Sequence, residues 1–444
     1  MDQSNGFTGR LVDAIASVRP EGETRRLIWR AFADTLGVAA AAFGEPGVRT
    51  CEKVLAGTGP RAWSGQACES LEAAIMLNGI AAHALDYDDL LLGAGHQSAV
   101  LVPALLTAAE DGEPERLVDA YAAGLVAAVA VARRIGAALN RRGWHGTGVL
   151  GTLAAAAAIG RLKGLDGARL RSALALAGAQ SGGLQANFGT MGKPAHAGFA
   201  AAAGFRAARL AEAGVDAAPD IFGPKGFPDL YGGEGDPDPA PEFFEPHPER
   251  IIVKLYPCCY ASHRLIELGL TARQTLGREV VDNPDLRFAI VVPRGTLRAL
   301  HYDWPTSGME AKFSARQPVA IALTDGAPGL DHFTDASVAR PDLAAVAGRI
   351  TIAEDDSPPP GDDSTRAPVR LSVTEGGVSR LTLERLAVPG SPDDPPSPEA
   401  VRGKIADCFA AFRKARGCDF PPAARARRLP GLAEWLPVPR PSGA

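Results

Sequence analysis

The stretch Ser70–His96, SLEAAIMLNGIAAHALDYDDLLLGAGH, changes character halfway along. Its first part, Ser70 to Leu85, is rich in Ala, Leu and Ile at three- and four-residue spacing, which predicts a helix. Its second part puts His83, His96, Asp86, Asp88 and Asp89 into fourteen positions. On such a helix His83, Asp86 and Tyr87 share one side of the last turn, a cluster able to move protons. Gly93 and Gly95 then allow a loop to bring His96 back toward the same place.

The helical reading extends in both directions. Thr24–Phe43, Ser98–Glu110, Leu117–Ala138, Val149–Lys163, Gly167–Gly178 and Pro194–Ala213 are dominated by Ala, Leu, Arg and Glu with apolar residues at helical spacing. Alanine-rich faces let helices approach closely, so an all-helical domain with sites between helices is expected. Composition changes at Gly232–Pro248, GGEGDPDPAPEFFEPHP, which cannot continue a helix. Beyond it β-rich runs appear at Leu286–Pro293, Arg349–Ala353, Val369–Thr374 and Val378–Leu386, the last two flanking a Glu375-Gly376-Gly377 turn. Helical stretches near Ser262–Leu276 and Ala311–Leu323 interrupt them. A further helix, about Glu399–Arg416, follows the SPDDPPSP tract. The fold class read from this is mainly α: residues 1–245 with 398–444 as a large all-helical domain, and 246–397 as a smaller α+β domain.

Composition narrows the function. The 444 residues are 46% hydrophobic and 22% charged, with net charge -5 and pI about 6.0. No Lys/Arg-rich tract marks a nucleic-acid or anionic-membrane surface, so neither partner is expected. Met1–Val18 shows no basic region followed by an apolar core, and the apolar run Ala122–Ala132 falls short of the roughly 20 residues that span a bilayer. A soluble cytoplasmic protein is the expectation. The six cysteines are scattered without a CxxC pair, which argues against a disulfide framework, a zinc ribbon or an iron–sulfur cluster.

Several motifs carry competing readings. GTGVLG, Gly146–Gly151, satisfies G-x-G-x-x-G, but the preceding AALNRRGWH is no buried strand, so glycines for a turn and close helix packing are expected instead of a dinucleotide site. His83, Asp86 and His96 suit a divalent ion chemically, yet HxxDxDD matches no tight metal-site spacing, and no metal is expected. In GTMGKPAHAG, Pro194 suits the first position of a helix. That places Lys193 at the helix entrance and His196 in its first turn, where free N–H groups favour a substrate carboxylate. KLYPCCYASH supplies Lys254 and His263 just inside the second domain, and Arg141-Arg142-Gly143-Trp144-His145 adds another histidine beside basic residues.

Taken together, NGIAAHALDYDD with His96, GWHGTGVLGTLAAAAAIGRLKGL, GKPAHAGFAAAAGFRAARLAEAG, KLYPCCYASH and EAKFSARQPVAIALTDG resemble the MmgE/PrpD family. The resemblance runs in order from about residue 10 to 420. That family includes 2-methylcitrate dehydratase, cis-aconitate decarboxylase and iminodisuccinate epimerase. It implies a helical domain, an α+β lid domain and a homodimer. Motif by motif it places catalytic residues at Asp86, His96, His145, Lys193, His263 and Tyr302; independently of it, the helix entrance and the start of the second domain put Lys193, His196 and Lys254 toward the substrate. This chain departs from the family pattern at Leu90, where threonine is frequent, at Gln97, where proline is common, and at Gly146, where proline usually follows the histidine.

The implied chemistry is proton transfer beside a carboxylate, without metal or organic cofactor. One histidine serves as base while another group, such as Asp86, acts as acid or orienter. The expectation is a lyase of the dehydratase type on a small di- or tricarboxylate. The alternatives are an epimerase, a decarboxylase, or a non-catalytic carboxylate-binding protein on the same scaffold. Loss of the hydroxyl at Leu90 argues against strict identity with 2-methylcitrate dehydratase or cis-aconitate decarboxylase.

Overall fold

The chain folds into two units, both discontinuous in sequence, in a computed structural model that describes residues 6–109, 114–356, 359, 364–422 and 429–437. The first comprises residues 1–187, 191–252 and 397–444; the second comprises residues 188–190 and 253–396. The expected helix end at Glu110 and the tail 438–444 lie outside the described residues.

The first unit contains α1 (Phe7–Ser17), α2 (Gly22–Ala42), α3 (Pro46–Val54), α4 (Leu71–Ala84), α5 (Ser98–Ala108), α6 (Pro114–Ile135), α7 (Ala138–Arg141), α8 (Gly146–Lys163), α9 (Gly167–Gly178), α10 (Gly192–Glu212) and α11 (Phe227–Tyr231). Small residues set how closely these helices pack. A Cβ on Gly79 of α4 would lie 2.8 Å from the Cα of Gly198 in α10, a separation no side chain permits. The glycines of GTGVLG act in the same way: a Cβ on Gly148 would lie 2.1 Å from the carbonyl oxygen of Gly182, and they sit inside α8 with no strand before it. Ser70 caps α4 by accepting from the N–H of Ala73, which fixes where that helix begins.

The first unit is mainly helical as expected, with two short ribbons between its helices. β1 (Ala56–Arg61) pairs with β2 (Ala67–Cys68), and β3 (Leu90–Leu91) pairs antiparallel with β4 (Ile251–Ile252). The second pairing carries the first unit past the proline-rich acidic tract to Ile252. The two-residue strands β2, β3 and β4 leave no alternation to read, and the six residues of β1, AGTGPR, are all exposed, so neither ribbon is legible in sequence.

In the second unit, β5 (Leu286–Val292), β6 (Ile350–Glu354), β7 (Val369–Glu375) and β8 (Val378–Arg385) form a sheet in the order β6-β5-β7-β8. β5 runs parallel to β6 and antiparallel to β7, with Ile290 opposite both Ile352 and Leu371. Strict alternation along β5 buries Leu286, Phe288, Ile290 and Val292. They share one core with Leu265 and Leu268 of α12 (His263–Leu276), and with Val319 and Leu323 of α15 (Arg316–Thr324); the short helices α13 (Glu279–Asp282) and α14 (Gly308–Ala311) lie between them in sequence. Two more helices, α16 (Asp335–Val338) and α17 (Pro341–Ala347), precede β6.

The last long helix, α18 (Pro398–Arg416), belongs to the first unit. It packs on α2, where a Cβ on Gly37 would lie 3.1 Å from Ile405. Buried Lys404 pairs there with Asp34 at 2.7 Å and donates to the carbonyl of Tyr87 at 2.7 Å. Among the described residues no single helix is long and apolar enough to cross a membrane.

Candidate active site

Helix α4 stops at Ala84, two residues before the acidic run, and Asp86 adopts φ 50. The expected sharing of the last turn by His83, Asp86 and Tyr87 is therefore corrected. A left-handed residue ends the helix, and aspartate tolerates that conformation better than most side chains. The turn sends Tyr87 toward α18, with Lys404 Nζ 4.1 Å from its ring centre. Gly93 (φ 81) and Gly95 (φ 88) then return the chain, and the N–H of His96 donates to Thr147 Oγ1 at 3.0 Å.

Asp88 is the hub of the resulting cluster. Its carboxylate lies 2.9 and 3.0 Å from Nδ1 of His83 and 3.0 Å from Nδ1 of His96. Burial opposes its charge, yet the two imidazoles hold it well below the usual carboxylate range. Burial likewise pushes His83 down to about 3, so this ring is neutral at physiological pH. An ionised carboxylate only accepts, so His83 donates Nδ1–H to Asp88 and keeps its lone pair on Nε2, while His96 meets the same carboxylate as a close charge contact through Nδ1.

Lys193 reaches the cluster from α10 and forms a buried ion pair with Asp86 Oδ1. The same oxygen lies 3.9 Å from His96 Nε2. Here the expected helix start shifts: α10 begins at Gly192, so Lys193 is its second residue and Pro194 its third. Proline fits because the N–H at the third position has no intrahelical partner either.

His145 immediately precedes α8, and its ring stacks 5.7 Å from that of His83. Burial first, then the charge of Lys193, keeps His145 well below its ordinary range; the same two causes lower His196. Nδ1 of His145 lies 3.0 Å from Nδ1 of His196. The first unit thus gathers Asp86, His96, His145, Lys193 and His196, which come from widely separated segments.

Lys254, His263 and Tyr302 belong to the second unit. Lys254 is buried, as is His263, which opens α12 with Nε2 3.4 Å from the carbonyl of Cys258. Tyr302 donates its hydroxyl to the carbonyl of Phe188 at 3.1 Å, and its ring covers Gly189.

Sequence reading counts Asp88 in the acidic cluster but gives it no role of its own, although the D-x-D-D pattern holds its signal. It also passed over the Asp34–Lys404 pair. A lone aspartate in the apolar run RAFADTLGVAAAAF was the available clue, since a buried charge needs a partner. Next to it, Asp89 is pushed up to about 8 by burial and by Asp34, and accepts from Ser98 at 2.6 Å.

His83, Asp86, Asp88 and His96 each offer one ligand atom, and these lie within 4.8 Å of one another. Neutral imidazoles and ionised carboxylates suit a divalent ion. With Lys193 already on Asp86, the same atoms equally suit proton transfer next to a bound anion.

The arrangement defines a mainly α protein with a buried histidine–carboxylate–lysine site and an α+β second unit. The MmgE/PrpD N-terminal domain profile matches residues 10–240 and the C-terminal domain profile residues 256–416. The chain belongs to the MmgE/PrpD family. It is similar to cis-aconitate decarboxylase of Homo sapiens, 26% identical over 292 residues, 63% of this chain and 60% of that protein. The Mus musculus cis-aconitate decarboxylase is 26% identical over 318 residues, 68% of this chain and 65% of its own. The Aspergillus terreus (strain NIH 2624 / FGSC A1156) enzyme of the same name is 28% identical over 344 residues, 70% of each chain. The match spans less than two thirds of either mammalian relative.

Proposed function

We propose that the protein is a cofactor-independent lyase acting on a small di- or tricarboxylate by proton abstraction next to a carboxylate. The observation that carries this reading is His96, held through Nδ1 by Asp88, with its Nε2 beside the buried Asp86–Lys193 pair. His96 Nε2 is the base. Lys193 neutralises a substrate carboxylate, so the electron pair left by the departing carbon-bound proton delocalises into that group. In dehydration a hydroxide leaves and takes a proton from an acid to become water. Lys254, His263 and Tyr302 remain candidates for substrate contacts and for that acid.

A second reading is decarboxylation, favoured by the names of the three relatives above. There carbon dioxide departs, its bonding pair stays on carbon, and an acid protonates that carbon. Epimerisation would return a proton to the opposite face. A homodimer is proposed on family grounds, and a cytoplasmic location on the scattered free cysteines.

Proton NMR in D₂O separates these readings. The protein is incubated with 2-methylcitrate, citrate, cis-aconitate and iminodisuccinate, with and without EDTA. An alkene from a hydroxy acid marks dehydration, loss of carbon dioxide marks decarboxylation, and deuterium exchange with a new stereoisomer marks epimerisation. Activity lost in EDTA and restored by a divalent ion would overturn the metal-free part of the proposal. His96→Ala should reduce turnover about 10²–10⁴-fold. Binding that persists without turnover of any of the four acids would leave only a carboxylate-binding protein.

A further inference from the structure

Of the five clustered side chains, His196 has both ring nitrogens engaged by other protein groups. Nε2 receives the backbone N–H of Leu184 at 3.4 Å and faces the Asn187 amide nitrogen at 3.2 Å. A backbone N–H can only donate, so Nε2 carries the lone pair and, in the neutral ring, the proton sits on Nδ1. That Nδ1 is the atom 3.0 Å from His145 Nδ1, which must then accept. The single proton of neutral His145 is thereby placed on its Nε2.

The pairing is built into the backbone around it. The N–H of His145 donates to the carbonyl of Gly183 at 2.9 Å, and Gln185 N–H donates to the carbonyl of Gly143 at 2.8 Å. Gly183 has φ +135, and a Cβ there would lie 3.3 Å from His196 Cγ and 3.4 Å from His145 Cβ. The loop 181–187 is thus hydrogen-bonded to the chain around His145 and packs close to both rings. Lys193, His83 and His96 are among the charged or titratable groups that bear on His145, besides His196.

We infer that His196 is a positioning residue that holds His145 as an Nε2–H hydrogen-bond donor and denies it the role of base. His96 faces the Asp88 carboxylate through Nδ1, while His196 leaves His145 with an Nε2–H. A neutral imidazole in that state donates a hydrogen bond to an oxygen on which negative charge builds, without giving up its proton. The inference rests on the proposed proton-transfer chemistry for its consequence, but not for the tautomer itself.

Histidine-selective ¹⁵N labelling reads the tautomer directly, with His145→Gln used to assign the His145 signals. In the wild type His145 should show an unprotonated Nδ1 and a protonated Nε2. His196→Leu should mix the tautomers and lower kcat on the order of 10–100-fold. His196→Asn places an amide N–H near the position of Nδ1 and should restore both tautomer and rate. A protonated Nδ1 on wild-type His145 would overturn the inference, whatever the variants do. The predicted tautomer in a protein that turns over no carboxylate would instead sink the proposed function and leave this assignment standing.

Discussion

Nδ1 of His96 and Oδ2 of Asp88 stand 3.0 Å apart, both buried. Asp88→Asn keeps the shape but can present an N–H to the ring, which moves the imidazole proton to Nε2 and occupies the basic lone pair. Turnover should fall about 10²–10⁴-fold while circular dichroism stays that of the wild type. Unchanged kcat would remove His96 from the role of base.

Lys193 and Asp86 form an ion pair out of solvent, where removing one partner costs more than removing both. Lys193→Met should lower stability by about 3–5 kcal/mol, read from urea unfolding at pH 7. Adding Asp86→Asn should recover much of that loss without recovering activity. An additive double variant would show the pair to be energetically uncoupled.

Asp89 is protonated in the native state through neutral pH, because burial and Asp34 raise it to about 8. Between the ordinary carboxylate value and that one, the native state binds a proton the unfolded chain does not. Its contribution to stability is therefore full below about pH 4 and lost as pH rises toward 8, at up to about 1.4 kcal/mol per pH unit. His83, lowered to about 3, has the opposite slope: its contribution is present above about pH 6.5 and lost as pH falls toward 3. Asp89→Asn should flatten the alkaline limb of a stability–pH curve measured from pH 5 to 8 and leave the acid limb in place. Persistence of the full alkaline slope in that variant would contradict the assignment.

Gly189 has φ 82, and a Cβ there would lie 2.4 Å from Tyr302 Cε2. Gly189→Ala is therefore strained twice, by backbone and by contact. A loss of about 1–3 kcal/mol is expected, with Tyr302 displaced from the Phe188 carbonyl. Tyr302→Ala in the same background should relieve the steric part, which differential scanning calorimetry of the single and double variants would show.

The helices α2, α4, α5, α6, α8, α9, α10 and α18, the strands β5 to β8 and the family are legible in the amino-acid order alone, because each rests on local periodicity or on motifs in sequence. The same order names Asp86, His96, Lys193 and His145 as chemistry-bearing. Pairing is what it leaves open. The ribbon of Leu90–Leu91 with Ile251–Ile252, the Lys404 ammonium on Asp34, and His145 against His196 join residues separated by tens to hundreds of positions. Whether Asp86 continues the helix or leaves it at φ 50 also depends on what receives it, here Lys193. Periodicity records which side of an element avoids water. The proton positions and ion pairs that make a site are fixed by atoms meeting at about 3 Å, and those atoms come together only when the elements pack.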